Sequence, residues 1–116
     1  MGHALANLPD LVVSAITGVT TFASSNAIAG FSDADVVTIF APTLTNTHEV
    51  QVNADAAAAT GSSGWATLTS GGTNVAVASG TAVTITDVAF GALRVQSRGA
   101  EAAQRTFSVV KQFLVT

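Results

Sequence analysis

Apolar and polar residues alternate along much of the chain. In HEVQVNA, at 48–54, Val50 and Val52 fall on one side of an extended backbone and Glu49, Gln51 and Asn53 on the other. In TAVTITDV, at 81–88, Val83 and Ile85 oppose Thr84 and Thr86; in ALRVQS, at 92–97, Leu93 and Val95 oppose Arg94 and Gln96. A period of two marks a half-buried strand, because successive side chains leave a strand on opposite faces. Val and Thr are abundant, and branching at Cβ suits both to a pleated surface. The pattern predicts strands near 11–16, 19–24, 35–41, 48–54, 64–69, 74–78, 81–86, 92–97 and 106–115.

Turn signals separate these segments: Pro42, Thr45–Asn46–Thr47, TGSSG at 60–64, SGG at 70–72 and SGT at 79–81. Short strands at this spacing, joined by glycine turns, predict an all-β fold, an antiparallel β-sandwich (jelly-roll or Ig-like) or a small barrel. Only DAAAAT and GAEAAQ have a helical look, and each is short enough to be a turn or a one-turn helix. The predicted core is Val37, Ile39, Val50, Val52, Trp65, Leu68, Val83, Ile85, Leu93, Val95, Phe107 and Val109. No internal repeat stands out.

The first ten residues, MGHALANLPD, read as a short N-terminal arm, and 11–116 as a single β-sandwich domain. Leu5, Leu8 and Leu11 are spaced by three, which allows a short helical turn before or across Pro9. Such an arm packs either on its own body or on a neighbouring subunit.

The 116 residues suffice for one real core, since a chain of this length buries roughly 65% of its unfolded surface. There is no cysteine, which excludes disulfides, thiol nucleophiles and thiolate metal sites. Charged residues are only 9% of the chain against about 25% in typical soluble domains. So bland a surface is tolerable where neighbours cover part of it. The net charge of −3 argues against general nucleic-acid binding. Its distribution is uneven. Residues 1–93 hold six acids and no base; residues 94–116 hold four bases and one acid, so the two parts carry −6 and +3. A small molecule with an acidic and a basic part is suited to docking on copies of itself or on a charged lattice. The uncharged run 11–32 contains Thr17, Thr20, Thr21, Ser24, Ser25 and Asn26, too polar for a membrane-spanning helix, and no base precedes it as in a signal peptide. The expectation is a soluble, unprocessed protein.

Candidate chemistry is sparse. His3 and His48 have no evident partner, and a lone histidine on a sheet reads as a surface residue. Asp33 and Asp35 are closely spaced, but a calcium loop needs several more oxygen ligands in order, so Asp33 reads as a turn cap. No Gly-x-Ser-x-Gly elbow and no phosphate-cradling glycine loop occurs. With no tyrosine and one tryptophan, stacking platforms are scarce. The expectation is a non-enzymatic chain with no cofactor and no metal.

Two stretches carry a resemblance. VQVNADAAAATGSSGWATL, at 50–68, resembles a lengthened hairpin of phage virion proteins, in which a strand ends in an Asp-Gly turn and the next begins with Trp; Asp55 and Trp65 hold those positions. FGALRVQSRGAEAAQRTFSVV, at 90–110, resembles their closing part. Gly91, Arg94, Ser97, Gln104, Arg105 and Phe107 match its Gly-x-x-Arg strand, small-residue loop and last apolar strand. Over about 35–116 the chain is thus similar to small β-sandwich virion proteins of tailed phages, most of all capsid decoration (cement) proteins. The resemblance implies a structural protein of the capsid exterior, made in the host cytoplasm. Its partners would be the major capsid protein and copies of itself, as a homo-oligomer or lattice-bound, with no nucleic acid and no membrane. A head–tail connector, a tail component and a carbohydrate-binding or adhesin module are the competing functions. The interface residues it suggests are Leu5, Leu8 and Leu11 of the arm together with Arg94, Arg98 and Arg105. Those arginines either form a basic patch that meets a partner's carboxylates by two-pronged contacts or pair internally with Asp33, Asp35 or Asp87.

Overall fold

The computed structural model describes residues 2–15 and 22–115. Ten strands follow one another: β1 (Gly2–Val13), β2 (Ala34–Phe40), β3 (His48–Asn53), β4 (Ala66–Thr67), β5 (Thr69–Ser70), β6 (Thr73–Asn74), β7 (Ala76–Val77), β8 (Ala82–Ile85), β9 (Ala92–Ser97) and β10 (Arg105–Val115). Every ladder is antiparallel. The first sheet has the order β1-β10-β2-β8. In the second, β3 pairs with β9 along its whole length, and its other edge is shared by β4 and β7. Beside β9, the segment 22–28 adds bridges at Ser24–Gln96 and Ile28–Leu93. A small β5–β6 hairpin completes the set.

The two sheets pack face to face as an antiparallel β-sandwich, and no helix occurs among the described residues. The inner face of the first sheet supplies Leu11, Val13, Val37, Ile39, Ile85, Phe107 and Val109. The second supplies Val50, Val77, Leu93 and Val95. Ile28, Phe31 and Leu44 join this core from the connections. Alternation in the sequence predicted most of these positions because it reports which face of a strand is buried. Val52, Leu68 and Val83 pack against the core while half-buried.

Three expectations are corrected. Trp65 is not a core anchor: it lies half-buried on the outer side of the second sheet, beneath the guanidinium of Arg94. His48 is not a surface residue but is fully buried. Leu5, Leu8 and Leu11 do not form a helical turn. They belong to β1, which runs through the 10/11 boundary and pairs with β10 from Gly2–Val115 to Val13–Arg105. Their spacing has a different cause. Leu8 faces Val109 and Leu11 faces Phe107, so three steps on β1 match two on β10. The extra residue is a β-bulge at Pro9–Asp10, and it turns Leu8 and Leu11 inward together although a regular strand would oppose them. DAAAAT and GAEAAQ form turns and bends. Of the strand expected at 19–24, residues 19–21 lie outside the described residues, and 22–24 form no strand beyond the single bridge at Ser24.

The predicted strands 64–69 and 74–78 are each split in two. Leu68 and Val75, at the breaks, remain tied in. Leu68 N–H donates to Val50 C=O at 2.9 Å, and Val75 N–H donates to Leu68 C=O at 2.8 Å.

Candidate functional site

The basic residues were the first candidates, and the structure separates them. Arg94 lies on the outer face of β9. Its Nε donates to Gln51 Oε1 at 2.7 Å, its Nη1 to Thr60 C=O, and its plane covers Trp65 at 4.6 Å from the ring centroid. Burial draws its guanidinium below the ordinary arginine value. This pins the 54–65 loop over the outer face of β3, where Asn53 Nδ2 also donates to Ser63 C=O at 3.0 Å and Asp55 N–H to Asn53 Oδ1 at 3.0 Å. Gln51, Asn53 and Ala92, which alternation assigns to the solvent face, are buried by that loop. Gly91 lets the loop approach: a Cβ there would stand 2.5 Å from Ala56 N.

Arg98 meets Glu49 at 3.4 Å, donates to Gln96 Oε1 and stacks on Phe22 with its carbon 4.5 Å from the ring centroid. Arg105 reaches Glu101, and Lys111 reaches Asp33 at 2.6 Å and Gly30 C=O at 3.1 Å. Hydrogen bonding from Lys111 outweighs desolvation and holds the Asp33 carboxyl below its ordinary value. Among the described residues, none of the three arginines pairs with Asp33, Asp35 or Asp87. Asp35 faces His3 at 3.7 Å. The arginines are therefore held by their own chain, through partners other than those the sequence suggested.

Glu101 is the most constrained of these groups. It is fully buried in the β9–β10 loop, where Arg105 Nε donates to its Oε1 at 2.7 Å. Thr45 N–H donates to the same oxygen at 3.0 Å, and Asn46 N–H to Oε2 at 2.7 Å. Burial alone would raise the carboxyl; the two amides and the guanidinium overcome that and hold it below the ordinary value. The carboxylate thus ties together the β2–β3 and β9–β10 connections, two of the places where the chain passes between sheets. Beside it, Asn46 Nδ2 donates to Ala100 C=O at 2.6 Å, and Gly99 leaves no room for a Cβ against the Asn46 side chain. The signal in sequence was the i, i+4 spacing of Glu101 and Arg105 across the loop that enters β10. His48 lies near this node, its ring 5.1 Å from that of Phe107. Its Nδ1 bonds Asn46 C=O at 3.1 Å, which makes Nδ1 the protonated nitrogen, and its Nε2 has no partner. Desolvation holds the imidazole below its ordinary value and keeps it neutral.

The arm leucines also separate. Leu11 is in the core, Leu8 is half-buried against Gly30, and Leu5 is 71% exposed. Leu5 belongs to a surface the sequence did not single out. On the outer face of the first sheet, Leu5, Gln112 and Val36 form one row, Asn7, Val110 and Thr38 the next, and Ser108 with Phe40 a third. Leu114 stands opposite His3 beyond them. Leu5, Leu114 (51% exposed) and Phe40 (46%) stand out of this face among Gln112, Asn7, Thr38 and Ser108, where a sandwich normally presents polar residues only. Alternation concealed them, because β1 and β10 are apolar on both faces near their tips.

No cluster of three or more potential metal ligands occurs among the described residues. A cleft beside the β5–β6 hairpin, lined in part by Leu68, Val75, Ile85 and Asp87, has a volume of about 80 Å³. That is well below the roughly 300–1,000 Å³ of small-molecule sites. The molecule these features define is an antiparallel β-sandwich with three large apolar side chains exposed on one outer sheet face and internally held cations. Comparison with protein-family models, curated proteins and solved structures returns no significant match.

Proposed function

We propose that this chain is a structural virion protein of a tailed phage that binds and stabilises the capsid exterior as a decoration protein. The observation that carries a docking role is the exposure of Leu5, Phe40 and Leu114 on the outer face of the β1-β10-β2-β8 sheet. Large apolar side chains left exposed on one sheet face offer a surface that a partner can cover. The virion assignment rests on the resemblance of 50–68 and 90–110 to phage decoration proteins. Under this reading the contact is apolar and comes from the first sheet. Arg94, Arg98 and Arg105 keep the loops in place and do not reach the capsid, so the contact is only weakly sensitive to salt. Trp65 does not favour the carbohydrate-binding alternative, because Arg94 already occupies one face of its ring.

The test is co-sedimentation with phage particles that lack the protein, using the native chain and Phe40→Lys. Phe40 is on the outer face, so the variant keeps its melting temperature and loses attachment. If the native chain does not attach, or Phe40→Lys attaches as well as it does, the proposal fails.

A further inference from the structure

β1 is the edge strand of its sheet, and its two halves treat that edge differently. At the C-terminal half the side chain of Asn26 takes the place of a neighbouring strand. Its Oδ1 accepts from Val12 N–H at 2.8 Å, and its Nδ2 donates to Asp10 C=O at 3.0 Å. Val12 and Asp10 therefore point away from β10, and Leu11 points toward it, opposite Phe107. Two residues along β10, Val109 points the same way as Phe107 and faces Leu8. Beyond the bulge the even residues of β1 thus face β10, and His3, Leu5 and Asn7 turn their N–H and C=O groups to the free edge. No hydrogen bond among the described residues reaches those groups.

Proteins usually blunt such an edge with lysine, proline, an inward charge or shortness. The segment from Gly2 to Leu8 has no Lys, Arg, Asp or Glu, and its only proline, Pro9, stands just past its end. We propose that a second copy of this chain pairs its own β1 here, antiparallel, about a two-fold axis at Leu5, so that two sheets become one. The register follows from the geometry. A two-fold axis makes the pairing self-complementary. Matching all three outward residues with outward residues sets His3 against Asn7 of the other copy and Leu5 against Leu5. Gly2 then meets Leu8, and Pro9, which lacks an N–H, lies outside the ladder. Leu5 of each copy covers its counterpart, with Leu114 beside it on the same face. Residues 2–8 along the seam include no Asp, Glu, Lys or Arg. This inference goes beyond the proposed function and does not depend on it, because the pairing is read on the purified chain alone.

The absence of cysteine makes the register directly testable. Residues directly opposite in a hydrogen-bonded pair have Cα atoms about 5.5 Å apart, within disulfide reach. Leu5→Cys, oxidised with diamide, gives near-complete crosslinked dimer. Asn7→Cys gives almost none, since its counterpart Asn7 lies several residues away. By equilibrium sedimentation the native chain is a dimer. Leu5→Lys is a folded monomer that still melts cooperatively, and mixing it with Leu5→Glu restores the dimer. A monomeric native chain overturns the proposal. So does a dimer that Leu5→Lys leaves intact, or crosslinking through Asn7→Cys in place of Leu5→Cys.

Discussion

Replacing Glu101 by Gln changes one heavy atom and removes the charge on which three donors converge. The side chain keeps its volume, so no cavity forms. One oxygen becomes an NH₂ group, a donor facing the amide of Asn46 or of Thr45 and the guanidinium of Arg105. Breaking a buried ion pair from one side costs about 3–5 kcal/mol. The lower figure applies, because the Arg105 side chain remains 18% exposed and can turn to water. A chain of this length has on the order of 6–17 kcal/mol in total, so about 3 kcal/mol is a large share. At roughly 4 °C per kcal/mol, the melting temperature falls by about 12 °C. The acid dependence changes with it. The folded Glu101 carboxyl titrates below its unfolded value of about 4.3. Its contribution is full above that value and is lost as pH falls through the folded one. Native protein therefore loses stability below about pH 4.3 more steeply than Glu101→Gln. Melting curves of both chains at neutral and acid pH provide the measurement. A variant that melts within a degree or two of the native chain at pH 7, or keeps its acid slope, would refute the role given to this carboxylate.

His48 acts in the same direction at higher pH: its folded imidazole titrates below about 6.5. The unfolded chain takes the proton first, so stability declines as pH drops below about 6.5; His48→Gln removes that part of the decline in a pH series of melting curves. Phe107→Ala empties the centre of the core and costs about 3–5 kcal/mol in chemical denaturation. Trp65→Ala, which loses one hydrogen bond and the Arg94 stack, costs about 1–2 kcal/mol; equal losses would return Trp65 to the core. Gly91→Ala places a methyl group against the backbone of Ala54 and Ala56, so it lowers the melting temperature and exposes the 54–65 loop to limited proteolysis.

The strands were legible because alternation and turn residues are local. Val50 and Val52 against Gln51 and Asn53 place β3 without knowledge of any neighbour. What covers each face is not local. Gln51 and Asn53 read as solvent-facing until the 54–65 loop folds over them, and Trp65 reads as a core residue until Arg94 is found above it. The arm misled for a related reason. Three leucines at intervals of three match a helix period, and a bulge in a strand gives two of them the same direction. For the site, the sequence located the cations and not their partners. Glu101 is one loop from Arg105, but the amides of Thr45 and Asn46 arrive from a distant connection. The shared face of Leu5, Phe40 and Leu114 was hidden because β1, β2 and β10, which carry them, are far apart in the sequence.

The pairing of Gly2 with Val115 has a mechanical consequence. A pull that separates residues 2 and 115 opens β1 from β10 as a zip opens, one pair at a time from the tip, with little resistance at any moment. A pull along the length of β1 instead loads the whole ladder in shear, and many hydrogen bonds must yield together. The bulge at Pro9–Asp10 then divides the two regimes. Peeling stops where Leu11 and Val13 enter the core and Asn26 grips the edge. The same strand is compliant across its width and stiff along its axis, so the direction of a load decides how firmly this protein holds.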